Sequence, residues 1–233
     1  MHKTMLDPDL VARLRAERGG ALHVVEALDP RRTAHLVIDL QNGFMEPGAP
    51  VEVPMARAIV PAVNRISQAL RAAGGTNVFL KFTTPVGDLD SWSTFYGRSS
   101  ARTSALHQDA FAPGAHHWQL WPALDVDDAA DLQVEKRRFG AFIPGTCDLD
   151  AILRARGIDT VIISGTLTNC CCEATARDAM QLNYRVIFAS DATAALSDAE
   201  HNGTLNNMLF LVGDVRPADE IAGLLAPVAA EAG

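Results

Sequence analysis

Residues 159–180 read DTVIISGTLTNCCCEATARDAM. The opening six, Asp159 to Ser164, are compact and rich in Val and Ile, the composition of a strand buried on both faces. From Ser164 to Met180 the pattern turns into a helix, with Asn169 as the predicted N-cap and Cys170, Cys171 and Cys172 in the first helical turn. A strand that turns directly into a helix is the repeating unit of α/β proteins, and the same alternation extends in both directions. Further strands are predicted at Ala34–Leu40, Asn77–Thr83, Tyr184–Ser190 and Leu209–Val212. Between two of them Ile59, Val63, Ile66 and Leu70 recur at helical spacing, with Pro61 in the first turn and Gly74–Gly75 at the end. Ser197 with Glu200 opens another helix as a capping box, Pro217 opens a further one, and Gly157 closes the segment from Asp148 to Arg156. The rhythm predicts a three-layer, doubly wound and mainly parallel sheet with helices on both faces.

The chain of 233 residues is long enough to bury a core without disulfides, and 48% hydrophobic with 21% charged residues excludes disorder and coiled coil. A net charge of −8 with no basic block argues against nucleic acid and anionic membrane as partners. No apolar run has signal-peptide or membrane-span length, and three of the four cysteines are consecutive, so a cytoplasmic protein with free thiols is expected. An N-terminal helical extension is assigned to residues 1–32 and the α/β domain to 33–233. In the extension, Leu10, Val11 and Leu14 offer a partly apolar face for self-association. Thr84 to Asp131 breaks the rhythm; it carries Trp92, Trp118, Trp121, Tyr96 and the pair His116–His117. A loop region this long reads as a pocket wall or lid, or else as a subunit-contact surface.

Open parallel sheets bind ligands beyond the carboxyl ends of their strands. Asp39 closes the first strand, where a carboxylate needs a partner or caps the following turn. At the start of a helix a thiol loses its proton more easily, which singles out the cysteine run; the plain alternative is three small side chains packed under the helix. Lys136 lies before an apolar, Gly-rich turn and on its own would read as solvated.

Taken together, DLQNGF at 39–44, EKRRFGAF at 135–142 and GTLTNCCCEATARDA at 165–179 resemble the cysteine hydrolases of the isochorismatase-like superfamily. That group includes nicotinamidases, N-carbamoylsarcosine amidase and ureidoacrylate amidohydrolase, and the likeness spans about residues 33 to 225. It implies a six-stranded sheet and an Asp-Lys-Cys triad at Asp39, Lys136 and Cys171, the cysteine fixed by the pattern T-N-x-C at Thr168 to Cys171. It also implies a cis Thr166–Leu167 bond, with the backbone N–H groups of Leu167 and Cys171 as oxyanion donors. Histidine is absent between His35 and His107, so the metal site of nicotinamidases is missing. No metal and no cofactor are therefore expected. Isochorismatases that cleave a vinyl ether usually lack the cysteine, so Cys171 argues for amide chemistry.

The expected activity is cysteine-dependent hydrolysis of a small carboxamide, carbamoyl compound or ureide through an acyl-enzyme. Phe44, Trp92 and Trp118 are expected to hold a planar or apolar substrate, and Arg98 and His117 to meet a carboxylate. The likeness also implies a homo-oligomer, dimer or tetramer. Lys136 and the helix start are expected to make the Cys171 thiol more acidic than the ordinary value of about 8.5, with the neighbouring carboxylate pushing the other way. An isochorismatase-type or non-catalytic binding member of the fold, and a thiol redox protein, are the alternatives.

Overall fold

Side chains alternate across each central strand, and the two sets meet different helices. In the computed structural model, which describes residues 1–84 and 89–225, the strands are β1 Thr33–Ile38, β2 Thr76–Phe82, β3 Leu132–Lys136, β4 Thr160–Thr166, β5 Arg185–Ala194 and β6 Asp214–Arg216. Val37, Phe79, Ile162 and Ile187 face one core, completed by α3 (Val60–Ala72) and α9 (Ala218–Leu225). Leu36, Ile38, Val78, Leu80, Val161 and Ile163 face the other, which is covered by α1 (Pro8–Glu17), α6 (Leu149–Ala155), α7 (Glu173–Gln181) and α8 (Asp198–Asn207). Both faces are covered, which is why β1 and β4 are buried without interruption; their polar His35 and Ser164 bond to each other at 2.7 Å.

The sheet order is β3-β2-β1-β4-β5-β6, and every pairing is parallel. The chain winds outward from β1 to β3, returns to β4 beside β1, and winds outward again. The reversal opens a crevice beyond the carboxyl ends of β1 and β4. At that point the two strands are in very close contact. A Cβ on Gly165, whose φ is +116°, would sit 2.1 Å from the Ile38 carbonyl oxygen.

Three expectations need correction. Leu209–Val212 is no strand: α8 runs on through a wider turn at Met208–Val212, and β6 follows at 214. The buried Leu209 and Val212 contrast with the exposed Phe210 and Leu211, a helical pattern that four apolar residues in a row conceal. Asn169 is no N-cap: Thr168–Cys172 forms its own wide turn, and α7 begins only at Glu173. The face of α1 offered for self-association is occupied by the chain itself, with Leu14 buried and Leu10 and Val11 packed on the second core. The segment before α1 is tied to α8 by Met5 N–H to Asn202 Oδ1 (2.8 Å) and Asp7 N–H to Asn206 Oδ1 (2.9 Å). The last part of the expected domain, 226–233, and residues 85–88 of the expected wall lie outside the described residues.

Candidate active site

Three strand ends converge at the crevice. Asp39 follows β1 with a φ of +55°, a left-handed conformation that Asp tolerates better than most residues, and its N–H donates to Leu80 O at 3.0 Å. Lys136 is the last residue of β3, and Cys171 lies in the turn after β4. Lys136 Nζ stands 2.8 Å from Asp39 Oδ2, and neither side chain has any solvent exposure. The ammonium also donates to Arg138 O at 3.1 Å and faces the Phe82 ring, 5.1 Å from its centroid. Both oxygens of Asp39 lack a donor at good hydrogen-bond angles, so the carboxylate keeps capacity to take a proton. The buried Cys171 thiol interacts with both members of the pair.

Burial pushes the Asp39 carboxyl up, and the opposing charge of Lys136 only partly offsets it. Burial works against the Lys136 charge as well, but Asp39 and Cys171 outweigh it and hold the ammonium protonated. The Cys171 thiol is raised well above its ordinary value by its hydrogen bond to Cys170 and then by burial, with Lys136 opposing and Asp39 reinforcing. The expected acidic thiol is therefore corrected. Cys171 sits before α7 in a buried turn beside a carboxylate, and the attraction of a helix start for an anion does not outweigh those effects. Cys170 is half-buried, and its thiol is lowered chiefly by the same hydrogen bond. Cys172 is fully buried and points at Ser164 O (3.8 Å), a packed side chain as its plain reading has it.

Two side chains outside the expected triad, His201 and the Gln41 of DLQNGF, brace this floor. His201 Nε2 lies 3.0 Å from Ser190 O, which can only accept, so Nε2 carries the proton. Nδ1 then accepts from the Thr168 hydroxyl at 3.0 Å, which fixes the turn that presents Cys171. Gln41 clamps the ends of β1 and β2: it donates to Phe82 O (3.1 Å) and Trp118 O (2.9 Å) and accepts from Phe82 N–H (2.8 Å). The Thr166–Leu167 bond is cis.

Above Cys171 opens a cavity of about 660 Å³. The described part of the irregular region forms one wall, through the short helix α4 (Ser93–Tyr96) and α5 (Ala101–Ala110). Of the residues expected to bind substrate, Phe44, on the short helix α2 (Asn42–Met45), lines the cavity and the other four do not. Trp92 packs behind the wall on Phe95 and Phe139, with Arg138 over its ring. Trp118 donates its indole N–H to Thr83 Oγ1 (2.8 Å) and lies under the Lys81 ammonium. Arg98 is exposed outside the cavity, and Trp121 packs on the first core. His117 belongs to a cluster with His116 and Glu46; their Nε2 atoms lie 3.6 and 2.9 Å from Glu46 Oε2. The carboxylate that the histidine pair lacks in the sequence is thus supplied by the fold. These three side chains have the donor set for a metal, and none of them lines the cavity. Tyr96, Leu106 and His107 line the cavity and were not marked by any motif.

The isochorismatase domain matches residues 33–220 of the chain. The chain is 35% identical over 199 residues to the uncharacterized isochorismatase family protein YecD of Escherichia coli O157:H7, covering 85% of this chain and 98% of that one. It is 27% identical over 216 residues to the ureidoacrylate amidohydrolase RutB of Caulobacter vibrioides, covering 87% and 95%. Among solved structures, a cysteine hydrolase from Pseudomonas syringae pv. phaseolicola superposes with a TM-score of 0.74 at 30% identity, covering 85% and 94%.

Proposed function

Because the chain belongs to the isochorismatase family of hydrolases, we propose that it is a cysteine-dependent amidohydrolase cleaving a C–N bond of a small carboxamide, carbamoyl compound or ureide through an acyl-enzyme on Cys171. The observation that carries this reading is the fully buried Asp39–Lys136 pair facing a thiol at the base of a cavity. A neutral thiol needs a base that takes its proton as it attacks, and Asp39, pushed up by burial, is such a base.

Cys171 Sγ bonds to the carbonyl carbon while its proton passes to Asp39. The tetrahedral oxyanion rests on the backbone N–H groups of Leu167 and Cys171, worth about 3–4 kcal/mol per donor. Asp39 returns the proton to the nitrogen, the C–N bond breaks, and ammonia or an amine leaves. Asp39 then takes a proton from water as the oxygen attacks the thioester, and that proton restores the Cys171 thiol. Lys136 keeps Asp39 oriented and balances the negative charge in each half-reaction. The family domain is taken as 33–233 with an extension at 1–32, in a cytoplasmic homo-oligomer. No helix among the described residues is long and apolar enough to cross a membrane.

Ammonia release across a panel of amides and ureides tests the reading. Cys171→Ala loses turnover by on the order of 10⁴-fold or more and keeps the wild-type circular dichroism. A Cys171→Ala protein of wild-type rate refutes it. The hydrogen-bonded thiols of Cys170 and Cys171 favour a redox protein as the second reading. That reading requires a peroxide-dependent sulfenic acid or disulfide, with no amide turnover.

A further inference from the structure

The composition of the cavity limits what can be acylated. Its lining is predominantly apolar and includes Phe44, Phe82, Phe95, Leu106, Phe139 and Leu196. Among the described residues, its acidic and basic side chains besides the cysteines and Tyr96 are Glu52 and His107, and neither is a cation. Glu52 accepts from Gly48 N–H (2.8 Å) and pairs with Arg57 (2.8 Å), so it stands at the wall as an anchored carboxylate. His107 is wedged among Phe82, Phe95 and Phe111, and burial holds it near a pKa of about 4, hence neutral. Three nearby cations are engaged elsewhere: Arg57 with Glu52 and the Met45 carbonyl, Lys136 with Asp39, and Lys81 over Trp118. Residues 85–88 and 226–233 contain no Lys, Arg or His that could add one. A carboxylate seated at the buried end of this cavity, against Phe44 and Phe82, would lose water and gain no counter-charge.

The leaving group is limited by a second observation. Asp39, which must reach the departing nitrogen, has no exposure and lies behind Cys171 outside the cavity lining. A small nitrogen fits that position, and the bulk of the substrate stays on the acyl side. Resting on the amidohydrolase reading, we propose that the substrate is an uncharged primary amide of an aromatic or branched aliphatic acid, and that carboxylate-bearing amides and ureides are excluded. The hydroxyls of Ser99 and Thr103 along one side leave room for a single neutral polar substituent.

The test compares kcat/KM for phenylacetamide and isobutyramide with 4-carboxyphenylacetamide, malonamate and N-methylphenylacetamide. The neutral primary amides are expected to exceed the carboxylates by about a hundredfold or more, and N-methylation to cost about tenfold or more. Leu106→Arg, at an exposed point of the lining, is expected to recover about tenfold on the carboxylated amides. Equal or better use of the carboxylated amides by the wild type overturns the proposal. A second measurement needs no turnover: alkylation of Cys171 by iodoacetamide and by iodoacetate, each relative to free N-acetylcysteine. A preference for the neutral reagent about tenfold beyond that of the free thiol supports the proposal, and an equal ratio overturns it. Absence of any amide turnover together with that preference overturns the hydrolase reading and leaves the charge selectivity standing.

Discussion

The floor and the wall of the cavity are built on different principles. The floor is set by β1, β3 and β4, whose ends fix Asp39, Lys136 and Cys171 with almost no exposure. The wall is assembled from short helices and aromatic contacts such as Phe95 on Tyr96 and Phe139. A charged group buried at the end of a sheet has few workable geometries, because its partner must reach it from another strand end, as Lys136 on β3 reaches Asp39 across β2. An apolar surface has many, because one hydrophobic side chain can replace another of similar volume. Chemistry therefore belongs to the floor and selectivity to the wall, and substitutions in the two regions should differ in kind.

The largest separation is expected at Lys136. Lys136→Met leaves Asp39 buried and uncompensated, so activity should drop on the order of a thousandfold and stability by about 3–5 kcal/mol in urea unfolding. Adding Asp39→Leu should restore most of that stability and none of the activity. If the single variant is as stable as the wild type, the buried Asp39–Lys136 pair does not hold the floor together.

Acid comes next in expected effect. His35 is held near a pKa of about 3 by burial, and His107 and His201 near about 4 by burial first. Each folded value lies below the unfolded value of about 6.5, so the unfolded chain binds protons that the folded chain does not. Stability contributed by the neutral rings is complete above pH 6.5 and falls as the pH drops toward about 4, before most carboxylates titrate. Urea midpoints measured between pH 7.5 and 4.5 should decline, and His107→Phe should flatten part of that decline. A midpoint constant across the range contradicts the burial of these rings.

The wall should respond more mildly. Phe95→Ala is expected to raise KM for amides about tenfold with kcat within a factor of about three, since it removes binding surface and leaves the reacting groups in place. A collapse of kcat would mean that the wall shapes the chemistry too. The smallest expected effect is that of chelators. Glu46, His116 and His117 lie outside the cavity lining, and charge balance at the floor comes from Lys136, so dialysis against EDTA should leave activity unchanged. Loss of activity restored by zinc would break the division between the regions.

The two regions also differed in how far they could be read from the sequence. β1 and β4 are legible because burial on both faces leaves a largely apolar run, with Asp39 directly after β1 and Cys171 in the turn that follows β4. β3 was missed because it is an edge strand in which Gln133 and Glu135 face outward while Val134 and Lys136 face inward. Read alone, Lys136 looks like a solvated lysine, and only the three ordered motifs single it out. Met208–Val212 shows the opposite error, a helical turn whose apolar residues pass for a strand. For the wall no periodicity helps: Phe95, Leu106 and His107 reach the cavity only through tertiary packing. Trp92 and Trp118, the more conspicuous residues, are used as struts.

The central claim is that Cys171, and not its hydrogen-bonded neighbour Cys170, carries the acyl group. Acid quench of the protein during turnover of a primary amide, followed by intact-mass analysis and peptide mapping, tests it most directly. The predicted result is a mass increase equal to the acyl group, located on Cys171, absent in Cys171→Ala and present in Cys170→Ala. Turnover with no adduct, or an adduct on Cys170 while Cys171→Ala remains active, would contradict it.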